Sequence, residues 1–177
     1  MTSRSKFLLA KTLLAMAAIA LGTTSVAAAP VSSPTPPPGR ALLLIPLKLT
    51  KIDDLSFGSV IPSPVSGTVI INATTGARTI AGGVTAIPSD VGRRARFGSA
   101  GSPGRLVIVT VTPPAFMTSV AGDTLTVLAL TLDGPPVRTI HPVNRTFFFG
   151  VGGIILVGAD QPEGVYTSDY DVTVEYL

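Results

Sequence analysis

From residue 41 onward the chain alternates short apolar runs with turn residues. The runs are 41–49, 67–72, 77–81, 93–97, 105–112, 124–132, 146–149 and 153–157, and a last one that closes the chain at 177. Between them lie PSPVSG, NATTG, SAGSPG, TPPA, DGPP and ADQPEG, each punctuated by Gly or Pro. No segment carries a 3.6-residue period, and Val, Ile and Thr are frequent within the runs. Short runs of this kind, closely spaced by turns, predict an all-β sandwich or barrel. Within 105–112, Leu106 and Ile108 oppose Val107 and Val109, so the strand is apolar on both faces and is expected at a central position. Pro46 has no N–H to give to a ladder and sends the first run to a sheet edge or a sheet-switching position.

The last run is the best patterned. Tyr166, Ser168, Tyr170, Val172, Val174 and Tyr176 point one way; Thr167, Asp169, Asp171, Thr173 and Glu175 point the other. All three tyrosines of the protein share the first face. Chain ends usually fray, so a terminal strand this regular is expected to close a core.

The first 40 residues divide differently. Arg4, Lys6 and Lys11 precede or flank the apolar run 12–22, and a small-residue stretch, TTSVAAA, follows. This is the pattern of a signal peptide, with cleavage expected after Ala28 or Ala29. The expected organisation is a leader at 1–28, a Pro-rich extended arm at 29–40 and one β-domain at 41–177. The expected location is outside the cytoplasm: periplasm, cell surface or extracellular space. The stretch 147–158 is apolar, but it is shorter than the roughly 20 residues of a spanning helix and is broken by Gly150, Gly152 and Gly153, so no membrane span is expected after the leader.

The leader changes the reading of charge. The whole chain is +3, and all of that excess sits in Arg4, Lys6 and Lys11, leaving ten basic and ten acidic residues in the remainder. A neutral domain gives no electrostatic reason to expect nucleic acid. Arg93, Arg94 and Arg96 form the only dense basic patch, beside one aromatic, Phe97, and read as an exposed strand or turn. The chain has no cysteine, which excludes disulfides, thiolate metal sites and thiol catalysis. Core burial must therefore hold the domain, and about 149 residues suffice, burying roughly two thirds of the unfolded surface.

Candidate chemistry is sparse. His141 is the single histidine and reads as a strand end. Ser102 lies in an A-x-S-x-G frame, but Pro103 and Gly104 lead into a strand rather than a helix, which suits a turn and not a nucleophile elbow. Asp53 and Asp54 are adjacent, and Asp169 and Asp171 share an outward face without further oxygen ligands. GVGG at 150–153 lacks the lysine of a phosphate loop and reads as a hairpin or bulge. Asn72 and Asn144 head N-x-T sequons. No catalytic residue, cofactor or metal is assigned.

The blocks LTKIDDLSFGSVIPSPVSGTVIIN (49–72), ARTIAGGV (77–84), ARFGSAGSPG (95–104) and GIILVGADQPEGVYTSDYDVTVEY (153–176) resemble the bacterial domain-of-unknown-function family 4402. The D-L-x-F-G turn together with the G-x-Y…V-T-V-x-Y ending carries the resemblance. It implies a secreted, immunoglobulin-like antiparallel β-sandwich akin to fimbrial subunits and spore-coat U domains, with no enzymatic activity. The ending also resembles that of pilins, whose last strand is gripped by a chaperone. By position Tyr166, Tyr170, Val172, Val174, Tyr176 and Leu177 are the strand-pairing residues this implies, and the implied partners are other pilus-like subunits or a periplasmic chaperone. A donor segment in the chain would have to overlap 41–49, which the domain itself is expected to use as its first strand.

Two functions remain in view. One is a non-enzymatic, fimbria-like or cell-surface structural subunit acting through strand pairing. The other is a self-contained periplasmic or extracellular module binding a glycan or protein through loops 63–68 and 112–122, with Phe116 and Met117 as contacts.

Overall fold

The computed structural model describes Thr35 and residues 38–177. The expected leader and most of the arm lie outside the described residues. The chain divides into two compact units after Ala41, and the second, from Leu42 onward, is the one described below.

The described residues form strands and no helix: β1 (Lys48–Asp53), β2 (Val60–Ile61), β3 (Gly67–Ile71), β4 (Arg78–Gly82), β5 (Thr85–Ala86) and β6 (Ala95–Ala100). There follow β7 (Leu106–Thr112), β8 (Phe116–Thr118), β9 (Thr124–Leu132), β10 (Val137–Thr139), β11 (Thr146–Val157) and β12 (Asp171–Tyr176). Every pairing is antiparallel. The large sheet runs β1-β6-β11-β3-β4, with β9 and then β8 attached to β11; the small sheet runs β10-β7-β12; β2 and β5 form a two-stranded ribbon. The central position expected for 105–112 is that of β7.

The long strand β11 organises the large sheet. Val151 pairs with Ala95 of β6 and with Leu132 of β9, and Gly153 pairs with Ile71 of β3 and Leu130 of β9. One residue pairs outward on its two edges, so β6 and β3 lie end to end along one edge of β11 and β9 lies along the other. The break expected at GVGG is absent: 146–149 and 153–157 are one strand. The glycines serve close approach instead. A Cβ on Gly152 would lie 2.2 Å from the Ile71 carbonyl oxygen and 2.5 Å from the Ala73 nitrogen, and one on Gly150 would lie 2.5 Å from the Ala73 carbonyl oxygen. The chain leaving β3 therefore crosses against β11 where β6 gives way to β3.

The inner face of the large sheet carries two cores. Where the small sheet covers it, Val107 and Val109 meet Ala95, Phe97, Phe147, Phe149 and Val151. Phe149 stacks on Phe97 and Phe147 at ring distances of 5.2 and 5.9 Å. The second core joins Val69, Ile71, Leu125, Val127, Ile155 and Val157 to Phe57 and Val84, with Val60 of the β2–β5 ribbon packed against it. Each fully buried side chain of this size contributes about 1.5–3 kcal/mol. The fold is a two-layer antiparallel β-sandwich.

The first ladder starts at Lys48, not at residue 41. Residues 42–45 lie outside every strand and are exposed. Their sequence, Leu-Leu-Leu-Ile, is apolar on both faces and has no layer to enter on its outer side. Lys48–Asp53 needs only one covered face, and as expected of an edge strand it ends the sheet.

Candidate functional site

β12 pairs with β7 along its whole length, from Asp171↔Thr112 to Tyr176↔Val107, and its other edge carries no ladder among the described residues. Val172, Val174 and Tyr176 face inward opposite Val111, Val109 and Val107. The inner residues Val107 and Val109 of β7 are fully buried, whereas Val172, Val174 and Tyr176 are half-buried, because β12 has a neighbour on one side only. Asp171, Thr173 and Glu175 are exposed on the opposite face.

The facing boundary is β1. It too ends its sheet, and Leu47, Leu49 and Leu55 lean half-buried on the same core as β12. The Tyr176 hydroxyl reaches Ile45, just before β1, while Tyr170, just before β12, feels the charge of Asp54, just after β1. The two edge strands therefore run side by side and antiparallel with no ladder joining them. The half-buried Leu47 and Leu49 on one side and Val172 and Val174 on the other cover the same core, and among the described residues no strand is paired with the facing edge of either β1 or β12.

β12 is tied at its end to the segment that precedes β1. The Tyr176 hydroxyl donates to the Ile45 carbonyl (2.6 Å) and accepts from the Ser102 N–H (2.7 Å), and the Ile45 N–H donates to Ser102 Oγ (2.7 Å). A Cβ on Gly101 would collide with the Tyr176 hydroxyl at 2.5 Å and with Leu47, so glycine is required there for the tyrosine to reach the chain. The Leu177 N–H donates to the Leu106 carbonyl, while its side chain is exposed.

Tyr170 is half-buried against the core shared with β12, and burial, aided by the Asp54 carboxylate, pushes its hydroxyl above the ordinary tyrosine range. Tyr166 is separate. Alternation begins at Tyr166, but the ladder begins only at Asp171; between them Thr167 makes an isolated bridge to Thr118. Tyr166 packs on the other core and its hydroxyl donates to the Pro162 carbonyl while accepting from Gln161. Tyr170, Val172, Val174, Tyr176 and Leu177 thus lie along one edge, and Tyr166 does not.

Residues 47–176 match the family model described as "Domain of unknown function (DUF4402)". The chain belongs to the DUF4402 family. The match begins one residue before β1 and ends on the last residue of β12, so it coincides with the sandwich. No curated protein and no solved structure matches the chain.

Several polar candidates of this DUF4402 chain are engaged in its architecture, while Asp169, Asp171 and Asn144 are exposed. His141 Nδ1 accepts from the N–H groups of Val143 and Asn144 and closes the turn after β10. Ser102 belongs to the Tyr176 clasp. Arg94 donates to the carbonyls of Ala73 and Thr74, and Arg96 pairs with Asp53 at 3.6 Å. Among the described residues no group of three or more His, Asp or Glu side chains could hold a metal. No helix among them is long and apolar enough to cross a membrane, which says nothing of a β-barrel. The recess lined by Arg94, Arg96, Asp133, Phe148 and Gly150 holds about 120 Å³, below the 300 Å³ or more of a small-molecule site. Phe116 lies half-exposed on β8, while Met117 packs on the core. Sequence reading did not reach the Ile45–Ser102–Tyr176 clasp, because its members are 57 to 131 residues apart.

Proposed function

We propose that this protein is a non-enzymatic, exported β-sandwich that serves as a fimbria-like or cell-surface structural subunit and associates through its open strand edges. The observation that supports this is β12: a regular six-residue edge strand whose inward face is half-covered and whose second edge carries no ladder among the described residues. An unpaired edge of this kind is a template for another strand: ladder hydrogen bonds give affinity and the alternate side chains give register. The signal-peptide pattern at 1–28 supports export. The single histidine and the serine of the A-x-S-x-G frame hold backbone groups, which supports a structural reading over a catalytic one.

Sedimentation of the chain from residue 29 across a concentration series tests it, with hydrogen exchange read along Asp171–Tyr176. Assembly with concentration and slowed exchange at β12 is expected. A chain that stays monomeric throughout, alone and with co-exported proteins, would refute the assembly reading.

Phe116 favours a second reading, a self-contained module that binds a glycan or protein. It is 52% exposed on an edge strand, where an aromatic ring can serve as a contact. Phe116→Ala with the fold intact should then abolish capture of a surface glycan or protein, and retained capture would exclude Phe116.

A further inference from the structure

The outward side of the large sheet is not uniform. At its β1–β6 end the outward positions include Lys48, Asp53 and Arg96. Beyond them β4, β3, β11, β9 and β8 stand side by side, and Val69, Ile80, Met117, Leu125 and Ile155 on their inner side pack on the core. The alternate residues form rows on the outer side. Phe116, Thr126, Leu156, Thr68 and Ala81 stand in register across all five strands. Ala129, Ile154, Ile70 and Thr79 form a second row across four of them. Leu128 takes the extra place at the bulge of β9 and is 51% exposed. None of these outward positions carries a charge. We propose that this face is a self-association surface, on which the outer side of β4-β3-β11-β9-β8 packs against the same side of a second copy as a symmetric pair. The contact is made by side chains of a sheet face and leaves the edges of β1 and β12 free, so it goes beyond the strand-pairing reading above.

Charge and area choose a second copy as the occupant. In a symmetric contact a charge on the face would be buried against its own surface, either unpaired or beside its like. The two rows meet that condition. The outer side of β12, with Asp171 and Glu175, and that of β1 and β6 do not. A face that binds lipid headgroups would use Lys or Arg, and this one has neither. Strands about 4.8 Å apart that rise about 3.4 Å per residue make five strands of about five residues roughly 24 Å by 17 Å, or about 400 Å². Two such faces hide about 800 Å² before the protruding Phe116 and Leu128 are counted, which suits a weak, reversible pair. Sheets stacked face to face lie about 10 Å apart, close enough for the Leu, Ile and Thr side chains of the two rows to interdigitate with those of the copy.

Sedimentation equilibrium of the chain from residue 29 tests this with single changes on and off the face. Thr68→Lys and Thr126→Lys flank Leu156 in the first row, and each is expected to weaken self-association at least tenfold with an unchanged unfolding midpoint. Thr173→Lys, on the outward side of β12, should leave association as it is. The absence of native cysteine allows a second measurement. Leu156→Cys lies on β11, the middle strand of the five, and should be joined to its own copy by a short bis-maleimide, whereas Thr173→Cys should not. Unchanged association in both face variants, or cross-linking at Thr173 alone, would overturn the proposal and leave association to the strand edges. A wild-type chain that stays monomeric would overturn it too. So would a monomer that floats with neutral phosphatidylcholine vesicles, which would make lipid the occupant.

Discussion

The hydroxyl of Tyr176 binds the carbonyl of Ile45 at 2.6 Å across 131 residues of sequence, and in the same geometry accepts the N–H of Ser102. The penultimate residue thereby ties the last strand to the segment entering the first. Loss of this hydroxyl leaves the N–H of a buried residue without its acceptor, since Ser102 is 6% exposed. Tyr176→Phe is expected to lower unfolding stability by about 1–3 kcal/mol. The urea midpoint should fall with an unchanged slope, and amide exchange at Ile45 and Ser102 should rise. An unchanged midpoint would show that the clasp contributes nothing.

The glycines of β11 yield a graded expectation. At Gly152 the added methyl would meet backbone atoms of Ile71 and Ala73, which cannot move without breaking the junction of β6 and β3. Gly152→Ala should cost about 4 kcal/mol or more, or prevent folding. Gly104 is the comparison. Its φ is +70° with open space around it, so Gly104→Ala carries only the left-handed penalty of about 1–2 kcal/mol. Thermal unfolding of the two variants should rank them in that order.

Asp133 bridges two elements. One oxygen accepts from Arg138 at 2.6 Å and the other from the Gly150 N–H at 2.8 Å, with both side chains of the ion pair about four-fifths buried. Asp133→Ala strands the guanidinium, whose Nε is already buried without a partner, and orphans the Gly150 N–H. A loss of about 3 kcal/mol is expected. Arg138→Met keeps the Gly150 bond and should cost less. Equal losses in denaturant titrations would contradict this ordering.

Tyr170 predicts an alkaline effect. Its hydroxyl titrates above the ordinary value of 10.0 in the folded chain because burial disfavours the phenolate and Asp54 adds to this. Well below pH 10.0 the group is neutral in both folded and unfolded chains and has no pH-dependent effect. As pH rises past 10.0 the unfolded chain ionises first, so stability falls until pH passes the raised folded value. Tyr170→Phe should flatten that decline, read as urea midpoints at neutral pH and at pH about 11. Parallel profiles for the two proteins would rule the effect out.

Strands whose side chains alternate between a covered and a wet face were legible in the chain. Residues 124–132 were expected as a strand and are β9 to the residue, and 105–112, read as apolar on both faces and therefore central, contains the central strand β7, Leu106–Thr112. Alternation reports the solvent boundary directly, so such strands need no partner to be recognised. The short strands β2, β5, β8 and β10, two or three residues each, were not legible, because their pairing depends on what lies beside them. The apolar 42–45 outranked the polar Lys48–Asp53 as a first strand for a related reason: hydrophobicity shows what prefers cover, not whether cover is present. The same limit applied to the site. The inward row of the last strand could be read off its spacing, but the absence of a neighbour beyond β12 could not.

By itself the sequence determined the fold class, the family, the alternation of the last strand and the disulfide-free core, since all of these follow from local spacing and composition. Tertiary structure alone decided that β11 runs unbroken through three glycines, that Tyr176 clasps Ile45 and Ser102, and that β1 and β12 each end a sheet. Those features depend on which backbones approach one another, and close approach between distant segments leaves no periodic trace along the chain.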